Sequence, residues 1–253
     1  MIPAVWITRP RPAAERTRAA LEEAGYLALD VPLLCIAFEM FGRVPEGPWP
    51  DLLVLVSANA ADGLIRAADR LGPPPSPVPV AAVGERTRER ILNAPFPVTV
   101  IAVRDHAEAL GVELAKLGLG GKRIWIPAGD REGSAHAFLP EFLRMAGASV
   151  ETFGVYRNLD REPEAQERVR LQTADPGAVV LHSPSGAAAF RRLTASGPLV
   201  PWWSAPAVAL GPTTARRLQD LDCPHVRLSP TPSDGGVLSA LAGISRLRPV
   251  RET

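Results

Sequence analysis

Short apolar runs alternate with amphipathic stretches along almost the whole chain. Ala4–Thr8 reads as a strand, and Ala13–Ala24 as a helix with Pro12 in its first turn and Gly25 as its stop. Leu27–Val31 is a second strand, broken by Pro32, and Leu33–Phe38 continues extended. Asp51–Val56 carries the unbroken run Leu-Leu-Val-Leu-Val, the signature of a parallel strand buried on both faces. A helix from Ala58 to about Leu71 follows. Then come strand Val80–Val83, helix Glu85–Leu92, strand Val98–Val103, helix Ala107–Leu117, strand Arg123–Ile126, helix Ala135–Ala146 and strand Ser149–Val155. Beyond the charged stretch Arg157–Arg161, the pattern predicts helix Pro163–Leu171, strand Ala178–Leu181, helix Gly186–Leu193, strand Ala207–Leu210, helix Pro212–Leu218, strand Val226–Leu228 and a last helix from about Ser233. Arg43–Pro50, Gly72–Pro79 with its five prolines, and Pro198–Pro206 read as loops, and the tail Arg246–Thr253 as mobile. Strands alternating with helices imply parallel sheets covered on both faces.

A repeat lies over this pattern. Val5-Trp6-Ile7-Thr8 matches Ile124-Trp125-Ile126-Pro127, and Val31-Pro32 aligns with Val155-Tyr156. Two further stretches recur in order. Val56-Ser57-Ala58-Asn59 is followed by Val83-Gly84-Glu85-Arg86-Thr87, and His182-Ser183-Pro184-Ser185 by Leu210-Gly211-Pro212-Thr213-Thr214. Ser57 to Gly84 spans 27 positions and Ser183 to Gly211 spans 28. Each stretch sits where a strand ends and a helix begins. Hydroxyls and unpaired N–H groups there suit an anionic ligand, so two matched lobes facing one ligand are expected. Two divisions of the chain remain open. One cuts it near Gly118–Gly121. The other trades strands between the repeats and crosses twice, near Leu33–Phe38 and Val155–Asp160.

Composition narrows the function. The 253 residues are 46% hydrophobic and 22% charged, with a net charge of +1, so no basic field advertises nucleic acid or a membrane surface. The N-terminus has no basic start or apolar core of a secretory signal, and Val31–Phe41 is too short to span a bilayer. Cys35 and Cys223 read as free buried thiols, and no His/Cys spacing suits a metal. Ala128–Gly133 lacks the Lys-Ser/Thr of a phosphate loop and reads as a strand-to-helix turn.

The ordered set Thr8-Arg9-Pro10, Ser57-Ala58-Asn59, Val83-Gly84-Glu85-Arg86-Thr87, Val155-Tyr156-Arg157, Ser183-Pro184-Ser185, Leu210-Gly211-Pro212-Thr213-Thr214 and Pro230-Thr231-Pro232-Ser233 resembles the uroporphyrinogen-III synthase family over nearly the full chain. The resemblance implies the traded division: two similar doubly wound parallel α/β lobes joined by a two-stranded linker. Residues 1–34 with 160–253 form one lobe, 39–154 the other, and 35–38 with 155–159 the linker. It also implies a monomeric cytoplasmic lyase without cofactor or metal. Such an enzyme closes hydroxymethylbilane to uroporphyrinogen III, losing water and inverting the last ring through a spiro intermediate. Its substrate is delivered by hydroxymethylbilane synthase, met at most transiently, and neither nucleic acid nor membrane is a partner.

The family's matching tyrosine faces the cleft, so the resemblance implies Tyr156 as the candidate for helping the hydroxyl leave, a phenol of pKa about 10 being protonated at neutral pH; its plain structural reading is linker packing. Arg9, Ser57, Asn59, Gly84, Thr87, Ser183, Ser185, Gly211, Thr213 and Thr214 are the candidate substrate-binding residues. Several also have a plain structural reading: Ser57 and Ser183 as helix caps, Thr87, Thr213 and Thr214 as helix-start residues, Asn59 as a first-turn polar residue and Arg9 in an ion pair. Val56 and His182 stand where relatives carry Thr, and His182 reads as a strand-end residue. Two rival functions share the fold: a non-catalytic binder of an anionic small molecule, and a regulatory protein that has lost activity.

Overall fold

A computed structural model describes residues 3–130, 134–245 and 247, without the side chains of 134–137. The chain divides into two compact units, Met1–Cys35 with Leu159–Thr253, and Ile36–Asn158.

The first unit is built on β1 (Pro3–Ile7) and β2 (Leu27–Asp30), with helix α1 (Ala13–Glu23) between them. The second holds β4 (Leu52–Leu55), α2 (Ala58–Arg66), α3 (Ala68–Leu71), β5 (Val78–Val83), α4 (Glu85–Ile91), β6 (Val98–Arg104), α5 (Ala107–Ala115), β7 (Arg123–Gly129) and α6 (Ser134–Met145). Strands β3 (Leu34–Ala37) and β8 (Ser149–Asp160) carry the chain from one unit to the other. The first unit resumes with α7 (Ala165–Thr173), β9 (Asp175–Leu181), α8 (Pro184–Thr194), α9 (Val200–Trp203), β10 (Ala207–Ala209), α10 (Pro212–Asp220), β11 (Val226–Leu228) and α11 (Asp234–Ala242).

One sheet has the order β11-β10-β9-β1-β2 and the other β3-β8-β7-β4-β5-β6. Apart from β3, the orders correspond strand for strand: β2-β1-β9-β10-β11 and β8-β7-β4-β5-β6 are the same arrangement built from opposite halves of the two repeats. The pairings around these strands are parallel, for example Ile7 with Val180 and Leu53 with Trp125. In each sheet the chain order reverses once, between β1 and β9 and between β4 and β7.

The cores follow from the runs. All four residues of β4 and the last four of β1 are buried, as strands covered by helices on both faces require. One face of the first sheet packs Trp6 edge-on against Phe190 and Trp202, with ring centroids 5.5 and 5.3 Å apart.

Several elements differ from the pattern. The helix expected to reach Leu71 is two helices, α2 and α3, interrupted at Ala67, which sits at φ −90°, ψ −2°. β5 starts at Val78, inside the Pro-rich stretch, because the fixed φ of Pro79 is compatible with a strand. Within Pro198–Pro206, Val200–Trp203 is a helical turn; Trp202 is core, its indole N–H donating to Leu171 O at 2.9 Å. β7 continues through Ala128 and Gly129, where a turn was expected, while Arg131, Glu132 and Gly133 of that stretch lie outside the described residues. β8 runs on through the charged stretch to Asp160, its polar side chains finding partners: Arg157 pairs with Glu39, and Arg192 with Asp160. Cys223 is buried but Cys35 only half-buried, and both are free thiols. Of the tail Arg246–Thr253 only Leu247 is described, and it is buried. Among the described residues no helix is long and apolar enough to cross a membrane.

Candidate active site

Open α/β sheets bind ligands outside the carboxyl ends of their strands, where strand order reverses. Each unit has such a point, and the candidate residues gather around it.

In the second unit the reversal lies between β4 and β7. Ser57 ends β4 and caps α2 from extended backbone (φ −153°, ψ 154°), its Oγ accepting the Ala60 N–H at 3.1 Å. The cap reading of Ser57 is thus realised. The same Oγ also lies 3.5 Å from the Tyr156 hydroxyl, at the outer limit of a hydrogen bond. Tyr156 comes from β8, two strands away, and is only 3% exposed. Asp130 fixes its backbone: the Asp130 N–H donates to Tyr156 O at 3.2 Å, and Oδ1 accepts the Asn158 N–H at 2.8 Å. Asn59 is half-buried in the first turn of α2. Gly84 ends β5 at φ +80°, a backbone that side chains rarely adopt, and its carbonyl accepts the Thr87 N–H at 3.0 Å. Thr87 is 3% exposed, so its hydroxyl is closed off from solvent.

In the first unit the reversal lies between β1 and β9. Ser183 caps α8 as Ser57 caps α2, at φ −153°, ψ 157°, with Oγ accepting the Gly186 N–H at 3.1 Å. Ser185 is half-buried one residue into that helix. Arg9 follows β1; its guanidinium donates to Thr17 Oγ1 at 3.3 Å and stands 4.0 Å from Asp234 Oδ1. Thr17 Oγ1 donates to the same Asp234 oxygen at 2.7 Å. Gly211 begins α10 at φ −148°, ψ 168°, ordinary extended backbone, and a Cβ there would meet nothing within 4 Å. Thr213 is exposed beyond it, while Thr214 is 2% exposed and turned inward.

His182 follows β9 with both ring nitrogens buried and no hydrogen-bond partner among the described residues. Burial foremost, and then the Arg9 charge, push its pKa down to about 3 against the opposing pull of Asp234. It is therefore a neutral imidazole at neutral pH, which leaves no imidazolium to serve as a general acid. Gly129, Asp130, Thr17 and Asp234 were not among the candidate site residues read from the sequence. Asp234 directly follows Pro230-Thr231-Pro232-Ser233, and Gly129-Asp130 lies in the stretch read as a turn, but long-range partners such as Thr17 with Asp234 leave no local signal.

The arrangement offers hydrogen-bond donors and hydroxyls at both reversal points, and one buried phenol at the second. That suits holding and orienting an anionic substrate and assisting loss of a hydroxyl, with no nucleophile–base pair among these residues.

Residues 15–239 match the family described as uroporphyrinogen-III synthase HemD. A crystal structure of uroporphyrinogen-III synthetase from Helicobacter pylori 26695 superposes with a TM-score of 0.60 at 21% identity, covering 94% of this chain and 97% of that one. A mutant uroporphyrinogen III synthase from the extremely thermophilic bacterium Thermus thermophilus gives 0.49 at 18% identity, covering 94% and 96%. No curated protein matches the sequence. The likeness to the first structure supports the two-unit parallel α/β fold. With the family match spanning most of its length, the chain belongs to the uroporphyrinogen-III synthase family, lyases that close hydroxymethylbilane with loss of water.

Proposed function

We propose that this chain closes hydroxymethylbilane to uroporphyrinogen III as a cytoplasmic monomer, receiving the substrate through at most a transient encounter with hydroxymethylbilane synthase. Tyr156 assists the chemical step. Its O–H donates a proton to the terminal hydroxyl, the C–O bond breaks and water leaves. The ring nitrogens stabilise the resulting cation, which is attacked to form the spiro intermediate. The tyrosinate takes back the proton released when the macrocycle regains its aromatic pyrroles, so water is the only net loss. The observation that carries this reading is the Ser57 hydroxyl 3.5 Å from Tyr156 Oη, with Ser57 Oγ itself polarised by the Ala60 N–H. A Ser57 O–H turned toward Oη stabilises the developing phenolate and leaves the phenol proton for the substrate.

Arg9, Ser183, Ser185, Gly211 and Thr213 in the first unit, and Ser57 and Asn59 in the second, supply carboxylate contacts through side chains or first-turn N–H groups, while Gly84, whose own N–H is given to Arg104 O, leaves the start of α4 open. Thr214 contributes through its backbone, since its side chain is buried, whereas Thr87 is buried and its N–H is held by Gly84 O, so it serves to fix the start of α4. Hydrogen bonds to charged groups contribute about 1.5–3 kcal/mol each, so a few hold the substrate in its reactive conformation. The test supplies substrate from hydroxymethylbilane synthase and resolves the product isomers. Type III product is expected, and type I alone overturns the reading. Tyr156→Phe is expected to lower turnover with little loss of stability; unchanged turnover removes Tyr156 from the mechanism.

A further inference from the structure

Tyr156 belongs to β8, yet its hydroxyl stands at Ser57, at the end of β4, and β7 runs between the two strands. Adjacent strands lie about 4.8 Å apart, so the phenol has to cross one whole strand. It crosses at Gly129. The pairing of β7 with β8 slips by one residue after Ala128, which places Gly129 opposite Tyr156. A Cβ built on Gly129 would lie 2.7 Å from Tyr156 Cε2 and 2.8 Å from its hydroxyl oxygen, and nearer still to Cζ. Real Cβ atoms do not approach other heavy atoms so closely, and the three nearest atoms all belong to this one side chain.

Gly129 is not among the glycines at positive φ, so its backbone conformation does not call for glycine. Glycine inside a strand weakens it and marks a place where something must come close. Here that is the phenol. The next residue locks the same geometry: Asp130 holds the backbone of both Tyr156 and Asn158.

We propose that Gly129 is a positioning residue, whose missing side chain forms the slot through which Tyr156 reaches the reversal point beside Ser57. The proposal rests on the reading of Tyr156 as the group that assists hydroxyl departure. It assigns Gly129 no contact with substrate; the effect on the reaction passes through the ring.

The experiment compares Gly129→Ala, Tyr156→Phe and the double variant. A positioned general acid contributes about 10²–10⁴-fold. Gly129→Ala is therefore expected to lower kcat by about tenfold or more while KM stays within about threefold. The double variant should be no slower than the slower single one, because both changes remove the same interaction. Tyr156 is one of only two tyrosines, so its ring resonances in a tyrosine-labelled sample are assigned by their loss in Tyr156→Phe. They are expected to shift in Gly129→Ala. Wild-type kcat in Gly129→Ala, additive losses, or unshifted ring resonances each overturn the proposal. If Tyr156→Phe keeps wild-type turnover while the resonances still shift in Gly129→Ala, the failure lies in the role given to Tyr156 and not in the slot. Should Gly129→Ala fold poorly, Gly129→Ala with Tyr156→Leu removes the obstructing ring. Its urea midpoint should return to that of Tyr156→Leu alone, and a midpoint that stays low overturns the slot.

Discussion

Replacing Gly211 by alanine separates ligand contact from backbone conformation, and Gly84 supplies the control. The two glycines occupy matching positions, each ending a strand before a helix, yet their backbones differ. Gly211 lies at φ −148°, ψ 168°, with nothing within 4 Å of a built Cβ. Alanine fits there without strain and narrows the unfolded ensemble, so Gly211→Ala should be neutral or stabilising by up to about 1 kcal/mol. Gly84 lies at φ +80°, ψ 145°, where alanine costs about 1–3 kcal/mol. Its carbonyl also receives the Thr87 and Arg88 N–H groups, so the strain passes into α4. Activity should separate the effects differently. If a substrate carboxylate comes up to the N–H groups that begin α10, the new methyl of Gly211→Ala stands in its path. Losing one such charge-assisted bond, worth about 1.5–3 kcal/mol, lowers kcat/KM by about 10- to 150-fold. Urea unfolding and steady-state kinetics on substrate made by hydroxymethylbilane synthase measure both quantities. Wild-type kcat/KM in Gly211→Ala refutes the close approach, and a lowered urea midpoint refutes the conformational argument.

Trp202→Ala should destabilise the protein by about 3–5 kcal/mol, since the indole is 1% exposed and hydrogen-bonded; an ordinary loop residue would cost within about 0.5 kcal/mol, which a urea titration distinguishes. His182 predicts a pH dependence with a definite sign. Its folded pKa of about 3 lies below the unfolded value of about 6.5, so the unfolded state binds the proton first and stability falls as pH drops from about 6.5 toward 3. Between pH 7 and 5 this removes about 2 kcal/mol. His182→Gln should flatten that part of the stability profile, and an unchanged slope would show that another group titrates there.

Much of the fold is legible in local pattern because buried parallel strands need unbroken apolar runs and their helices need caps. Leu52–Leu55, Ser57, Ser183 and Ser233 all follow those rules. The interruption at Ala67, the helical turn at Val200–Trp203 and the extension of β8 to Asp160 are set by tertiary partners, which a local window does not contain. The division of the chain is also beyond local pattern, since either choice gives sheets of similar size; the strand order joins β1 and β2 to β9, β10 and β11. At the candidate site the motif positions are readable, but their orientation is not. Thr213 and Thr214 are neighbours in sequence, and only helical geometry turns one outward and the other in. Gly129 carries no chemistry of its own, and its part emerges only from the ring that overlies it.

The exchange of strands between the repeats also sets an order of events during synthesis. The unit Ile36–Asn158 is one unbroken segment, so its β4–β7 core can close as soon as it leaves the ribosome. β1 and β2 emerge first but lack their central neighbour until β9 (Asp175–Leu181) is made. At about 5–20 residues per second, that is a wait of roughly 10–30 s, with Val5, Trp6 and Ile7 unburied. A nascent chain halted before β9 therefore carries one finished core and two strands still without a third.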